Sequence, residues 1–210
     1  MEYRKIDLET FPRKAHFEYF KTLANPYAGV TVEVDITDFI QKVKKEKLPF
    51  FLSFLYCAGR AANMVAELRQ RIDGGVPVEF ASCDTSHTVM KADGTYGYCR
   101  LNCMQPFEEY ISQAVAKQEK AKEEADLEDG EDGLSLLFVS TLPWLHYTSL
   151  QQPTPIPADS NPRITWGQYA INGEKVTMPV TLLVNHALAD GSHMAQFFEE
   201  LSRQMEGFKA

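Results

Sequence analysis

Two rhythms of apolar residues run along this chain, and the places where one gives way to the other mark its elements. Residues 30–36 alternate, with Val30, Val32, Val34 and Ile36 on one side and Thr31, Glu33 and Asp35 on the other, the period of a half-covered strand. Residues 180–184 form an apolar run rich in β-branched residues, and Met194, Phe197, Phe198 and Leu201 then recur at helical spacing. Between that strand and that helix stands His186-x-x-x-Asp190-Gly191. Upstream, residues 11–23 read as a first helix with Pro12 near its start; Arg13, His16, Phe17 and Phe20 share a face, and Asn25-Pro26 ends it. Asp38 is placed to cap a short helix through Lys45. Pro49 opens a long helix expected to reach Ile72, apolar nearly all round its first half and therefore central, with Asp73-Gly-Gly75 as its stop. Strands are expected at 78–81, 85–90 and 96–101. Pro106 starts a second long helix with Phe107, Tyr110, Ile111, Val115 and Ala116 as its buried stripe; it runs into an acidic tract, 117–133, read as an exposed helix end and a mobile loop. Residues 134–141 read as a buried strand. A proline-rich loop follows at 152–157, and then strands 163–171 and 175–184 joined by a type I′ turn at Asn172-Gly173. The order predicts an α+β protein, a single domain over 1–210, with one large mixed or antiparallel sheet and helices packed on it.

Composition narrows what such a fold does. The chain has 210 residues, 44% hydrophobic and 24% charged, enough for a large core. A formal net charge of -8 argues against general nucleic-acid binding, which needs a basic face. The N-terminus shows no apolar signal region, and the most apolar stretch, 49–59, is too short to span a membrane, so the expected location is the cytoplasm. The four cysteines lack CxxC spacing and read as buried thiols, with Cys99 and Cys103 on one face of a strand. The lysines of 42–47 read as a solvated face, and His16 and His146 as structural residues.

The polar residues with a chemical reading centre on His186. A histidine at the end of a buried strand, followed by a glycine turn, is held in one place and titrates near working pH. Four roles are open to it: a satisfied buried histidine, a metal ligand with Asp190 and His193, a nucleophile, or a general base that activates a substrate hydroxyl or thiol. No fourth metal ligand is obvious. Asp190 either orients His186 as in a triad or pairs with a distant cation such as Arg13 or Lys14. Ser149 closes a Ser/Thr-rich loop and reads by itself as a turn residue; Trp144 and Trp166 read as core or wall residues.

Four blocks in order give the chain a family resemblance. They are Phe11-Pro-Arg-Lys-Ala-His-Phe-Glu18, Ser140-Thr-Leu-Pro-Trp-Leu-His-Tyr-Thr-Ser149, Pro162-Arg-Ile-Thr-Trp-Gly-Gln-Tyr169 and Asn185-His-Ala-Leu-Ala-Asp-Gly191. Together they resemble the motifs of chloramphenicol acetyltransferases, whose His-x-x-x-Asp-Gly signature the catalytic domains of dihydrolipoyl acyltransferases share. The resemblance covers almost the whole chain. It implies a two-layer α/β sandwich with a large mixed sheet, in agreement with the pattern above. It also implies acetyl transfer from acetyl-CoA to a small-molecule hydroxyl, with chloramphenicol as the leading acceptor and no metal.

The implied roles fall on particular residues. His186 would be the general base and Ser149 the donor to the oxyanion, a contact typically worth about 3–4 kcal/mol in a transition state. Asp190 would pair with Arg13 and fix the turn. Thr165 would hold a water near the reacting centre, and Tyr169 would lie near the CoA adenine. The resemblance further implies a homotrimer with active sites at subunit interfaces. Three positions depart from the pattern: Asn185 stands where a histidine is usual, Phe20 where a tyrosine lies by the acceptor pocket, and Gln168 where a basic residue is common. A different acceptor and a non-catalytic trimeric binding protein are the competing functions. A dihydrolipoyl-type enzyme would carry lipoyl and subunit-binding domains, for which 210 residues leave no room.

Overall fold

A computed structural model of the chain describes residues 2–124, 126–127 and 133–209. The strands are β1 (Tyr3–Lys5), β2 (Tyr27–Asp35), β3 (Gln70–Asp73), β4 (Val76–Phe80), β5 (Thr85–Met90), β6 (Tyr96–Leu101), β7 (Leu137–Leu142), β8 (Arg163–Gly167), β9 (Ala170–Asn172) and β10 (Lys175–Asn185). The helices are α1 (Lys14–Phe20), α2 (Thr37–Lys45), α3 (Phe50–Met64), α4 (Phe107–Glu124) and α5 (Gly191–Glu206). Six strands run in the order β2-β10-β8-β7-β5-β6, with β9 paired to the start of β10, and β1-β4-β3 form a small separate sheet. The large sheet is mixed: β7 is parallel to β5 and β8, and its other pairings are antiparallel. This is the α+β arrangement, a large mixed sheet covered by helices, that the sequence pattern predicts.

β10 is an inner strand, flanked by β2 and β8, and it is apolar enough to be covered on both faces. Val180, Leu182 and Val184 are buried in the main core with Phe197 and Leu201 of α5 and Phe54, Leu55 and Ala58 of α3. Its alternate residues, Thr181 and Asn185, are also buried, on the other face. The strand therefore delivers His186 from an element buried over most of its length.

Several expectations need correction. The helix opened by Pro49 ends at Met64, not Ile72, because Val65 is extended (φ -99°, ψ 114°). Residues 66–69 form a 3-10 turn, and 70–73 become β3. The deciding residue is Arg71, fully buried, whose guanidinium donates to the carbonyls of Leu68, Gln70, Leu134 and Leu136. A buried guanidinium with its donors satisfied overrides a favourable helical composition. Gly74 and Gly75, both at positive φ, are then the two-residue type I′ turn of the β3–β4 hairpin rather than a helix stop. At Asn172-Gly173 only Gly173 has positive φ, the pattern of a type II′ turn, not I′.

The strand expected at 163–171 breaks after Gly167. Pro179, next on β10, has no N–H to offer there, and β9 resumes the pairing at Ala170. α1 is shorter than 11–23, and β1 had no signal in the pattern. Asp38 lies within α2; it is Asp35 that takes the Thr37 N–H and hydroxyl. On α4 the buried stripe is Phe107, Tyr110 and Ala114, while Val115 and Ala116 are exposed. All four cysteines are buried and free, but Cys103 lies beyond the end of β6, against Gly59, not on the strand with Cys99. Most of the loop expected before Gly133 lies outside the described residues. Among the described residues no helix is long and apolar enough to cross a membrane.

Candidate active site

The turn after β10 is held from four directions. The His186 backbone N–H donates to the Pro26 carbonyl at 2.7 Å, tying the turn to the approach to β2. The imidazole lies flat on the Phe20 ring, with centroids 4.0 Å apart and an interplanar angle of 3°. Asn185, buried, uses both ends of its amide: Nδ2 donates to the Asp159 carbonyl and Oδ1 accepts the Ala187 N–H, each at 3.0 Å. Ala187 and Leu188 are buried with Phe11 and Phe17 in a second small core that joins the turn to the N-terminal segment. His186 Nδ1 is shut off from solvent and has no partner among the described residues.

Asp190 braces the far side of the turn. Its Oδ2 accepts from Arg13 Nη1 at 2.6 Å, while Oδ1 accepts the Ser192 N–H and hydroxyl as the N-cap of α5. Burial alone would raise this carboxyl; the Ser192 and Arg13 hydrogen bonds outweigh it and hold the group well below the usual carboxylate range. His193 completes a capping box, its Nδ1 accepting the Asp190 N–H at 3.1 Å. Asp190 has no contact with His186 among its bonds; its partners are Arg13, Ser192 and His193. His186, Asp190 and His193 thus do not converge, and no group of three or more metal-ligating side chains occurs among the described residues.

Ser149 lies elsewhere. It is exposed in the loop after β7 and lines a cavity of about 460 Å³ with Tyr27, Thr31, Gln152 and Thr181. His186 is not in that wall, although Tyr27, which is, pairs with Asn185 next to it. The same loop packs against Gly167, where an added Cβ would sit 2.4 Å from the Leu145 carbonyl oxygen, so only glycine lets the loop close down on β8. Thr165 is buried on β8 and accepts from Gln152 Nε2 at 2.8 Å. Tyr169 lines a second cavity of about 800 Å³ with Trp144, Trp166, Phe51, Gln168 and Lys122. Trp166 is core as well as wall; Trp144 is a largely exposed wall residue.

The structure therefore pairs His186 with Phe20 and Arg13 with Asp190, ties the Ser149 loop to Thr165 through Gln152, and leaves Tyr169 on a different cavity from Ser149. Tyr147 and Gln152 escaped the sequence reading, and His193, read there only as a possible metal ligand, is a capping residue instead. An Asp-Gly-Ser-His run at a helix start was a legible capping signal for His193; the other two take their places from tertiary pairing alone.

Comparison with known proteins now bears on these motifs. The family model for chloramphenicol acetyltransferase matches residues 1–202. The chain belongs to the chloramphenicol acetyltransferase family. It is therefore a member of a family of acyltransferases. A chloramphenicol acetyltransferase of Klebsiella sp is 30% identical over 207 residues, covering 96% of this chain and 93% of the relative. One from Escherichia coli is 29% identical over 205 residues with the same coverage. A solved chloramphenicol acetyltransferase superposes with a TM-score of 0.88 at 26% identity, over 97% of this chain and all of the other. A truncated catalytic core of the 2-oxoacid dehydrogenase multienzyme complex from Thermoplasma acidophilum shares the fold, with a TM-score of 0.68 at 16% identity.

Proposed function

We propose that this chain transfers the acetyl group of acetyl-CoA to a hydroxyl of a small molecule, with chloramphenicol as the leading acceptor. The observation that carries this reading is the fixed imidazole of His186, stacked on Phe20 at the end of a packed strand, in a chain of this family. With Nδ1 enclosed, Nε2 is the nitrogen left for an incoming hydroxyl. It takes the hydroxyl proton as the oxygen attacks the thioester carbonyl. Ser149 donates a hydrogen bond to the oxyanion that forms. Collapse expels the CoA sulfur, which receives the proton from the imidazolium and leaves as the thiol.

The two cavities fit this division. The polar cavity at Ser149 receives the acceptor and the acetyl centre. The larger cavity, with aromatic walls and Lys122, suits a long ligand such as acetyl-CoA, with Tyr169 by its adenine and Thr165 holding a water between. Because His186 does not line the Ser149 cavity within one chain, a homotrimer in which a neighbouring copy supplies His186 to that cavity accounts for both placements. The setting is the cytoplasm, and neither nucleic acid nor membrane takes part.

Thiol release from acetyl-CoA in the presence of chloramphenicol tests the reading. Turnover is expected, with chloramphenicol acetylated on a hydroxyl; a wild-type rate no higher than that of His186→Ala removes it. A second acceptor is favoured by one observation: the ring on His186 is Phe20, which brings no hydroxyl to the acceptor side. A panel of hydroxylated acceptors, compared by kcat/KM, separates the two.

A further inference from the structure

The loop that carries Ser149 is tied from both sides to one residue of the sheet. Two residues before Ser149, the Tyr147 hydroxyl donates to the Thr165 backbone carbonyl at 2.9 Å and accepts from Thr181 Oγ1 at 3.1 Å. Thr181 in turn shares a 2.7 Å hydrogen bond with Thr31 on β2. Three residues after Ser149, Gln152 Nε2 donates to Thr165 Oγ1. Thr165 is itself immovable: it is buried, paired with Ser140 of β7 on one side and Thr181 of β10 on the other. The Tyr147 hydroxyl stays protonated because burial raises it more than the Thr181 bond lowers it, so it remains a donor.

These contacts need a reason beyond stability. Ser149 is exposed, belongs to no strand or helix, and has only its loop to define its position. An oxyanion donor works only when it is already aimed at the developing charge, and a misplacement of about 1 Å can cost roughly 100-fold in rate.

We propose that Tyr147 and Gln152 are positioning residues that fix the Ser149 hydroxyl by clamping its loop to Thr165 at two points. This rests on the reading of Ser149 as the oxyanion donor. Tyr147 is the stronger arm, since its hydroxyl is held by a three-strand relay, Thr31 to Thr181 to Tyr147, that ends on the Thr165 carbonyl.

The test uses the full chain and four variants: Tyr147→Phe, Gln152→Met, Ser149→Ala and the Tyr147→Phe/Ser149→Ala double. Steady-state kinetics are measured with acetyl-CoA and chloramphenicol, and amide hydrogen exchange is followed across 143–152. Tyr147→Phe is expected to lower kcat by about tenfold, with KM for both substrates changed less than about twofold, and to speed exchange in the loop. Gln152→Met acts in the same direction, and it carries the test if Tyr147→Phe fails to fold. In the Ser149→Ala background, Tyr147→Phe should change kcat by less than about twofold, because the group it positions is gone. An unchanged kcat, or a full loss that persists in the Ser149→Ala background, overturns the proposal. If wild-type protein turns over no acceptor, the acetyl-transfer reading fails, and exchange decides the clamp separately: faster exchange in Tyr147→Phe supports it, and unchanged exchange overturns it.

Discussion

His186 and Ser149 rest on opposite kinds of structure. His186 follows an eleven-residue inner strand, and its turn is closed by the Arg13–Asp190 ion pair, the Asn185 amide and a patch of buried aromatic rings. Ser149 stands on an exposed loop, and its neighbours reach the sheet through a few side-chain hydrogen bonds, two from the Tyr147 hydroxyl and one from Gln152. The proposed base thus follows directly from a packed strand, whereas the proposed oxyanion donor sits on a loop fastened to the sheet. Both kinds of group must be aimed in advance, so the Ser149 loop depends on its ties to the sheet where His186 depends on the strand and turn beneath it.

That contrast sets the order of expected effects. The largest belongs to His186→Ala, which should lower kcat by about 10³-fold or more with the fold intact, read by thiol release beside a melting curve. Ser149→Ala comes next: about 100-fold in kcat, with acetyl-CoA binding nearly unchanged, since the contact strengthens only in the transition state. Equal losses in kcat and in acetyl-CoA affinity would contradict the oxyanion role.

Asp190→Ala attacks the His186 turn from its support. It removes an N-cap and leaves the half-buried Arg13 without its carboxylate, a cost of about 2 kcal/mol, or roughly 4–8 °C in Tm for a chain of this size. Asp190→Ala should therefore lose both stability and kcat, whereas Ser149→Ala should lose kcat alone. A drop in kcat without any loss in Tm would show that the Asp190 brace is not the support described.

The smallest effect is a pH dependence from His87, which lies on β5 away from both regions. Burial holds its imidazole down to about 4, against a weaker upward pull from the Cys99 backbone. The unfolded chain then binds the proton more readily than the folded one between about pH 6.5 and about 4, so stability is complete above that window and falls as pH drops through it. The loss from pH 7.5 to pH 5.5 should be about 1 kcal/mol, and His87→Phe should remove most of it in melting curves taken across that range. Persistence of the full slope in His87→Phe would assign it elsewhere.

Much of the His186 region was legible in the sequence because its signals are local and periodic. The apolar run of β10, the turn glycine and the helical stripe of α5 each announce themselves within a few residues. The Arg13–Asp190 contact spans most of the chain, and only the resemblance, not the spacing, singled it out. The Ser149 region was legible as motif letters but not as geometry. Nothing in Tyr147 or Gln152 tells a reader that both reach Thr165, because that depends on β7, β8 and β10 lying side by side. Arg71 illustrates the same limit. Its neighbours read as helix, and only the carbonyls of 134 and 136, brought from more than sixty residues away, make a strand the better answer.

The central claim is that His186 of one copy serves the cavity holding Ser149 of another. Co-expression of His186→Ala with Ser149→Ala, each nearly inactive alone, tests it most directly through thiol release by the purified mixed oligomers. Sites shared between neighbours predict a regained rate, about a quarter of the wild-type value for random assembly, because some interfaces pair an intact histidine with an intact serine. A mixed preparation no more active than the two variants measured separately would contradict the claim.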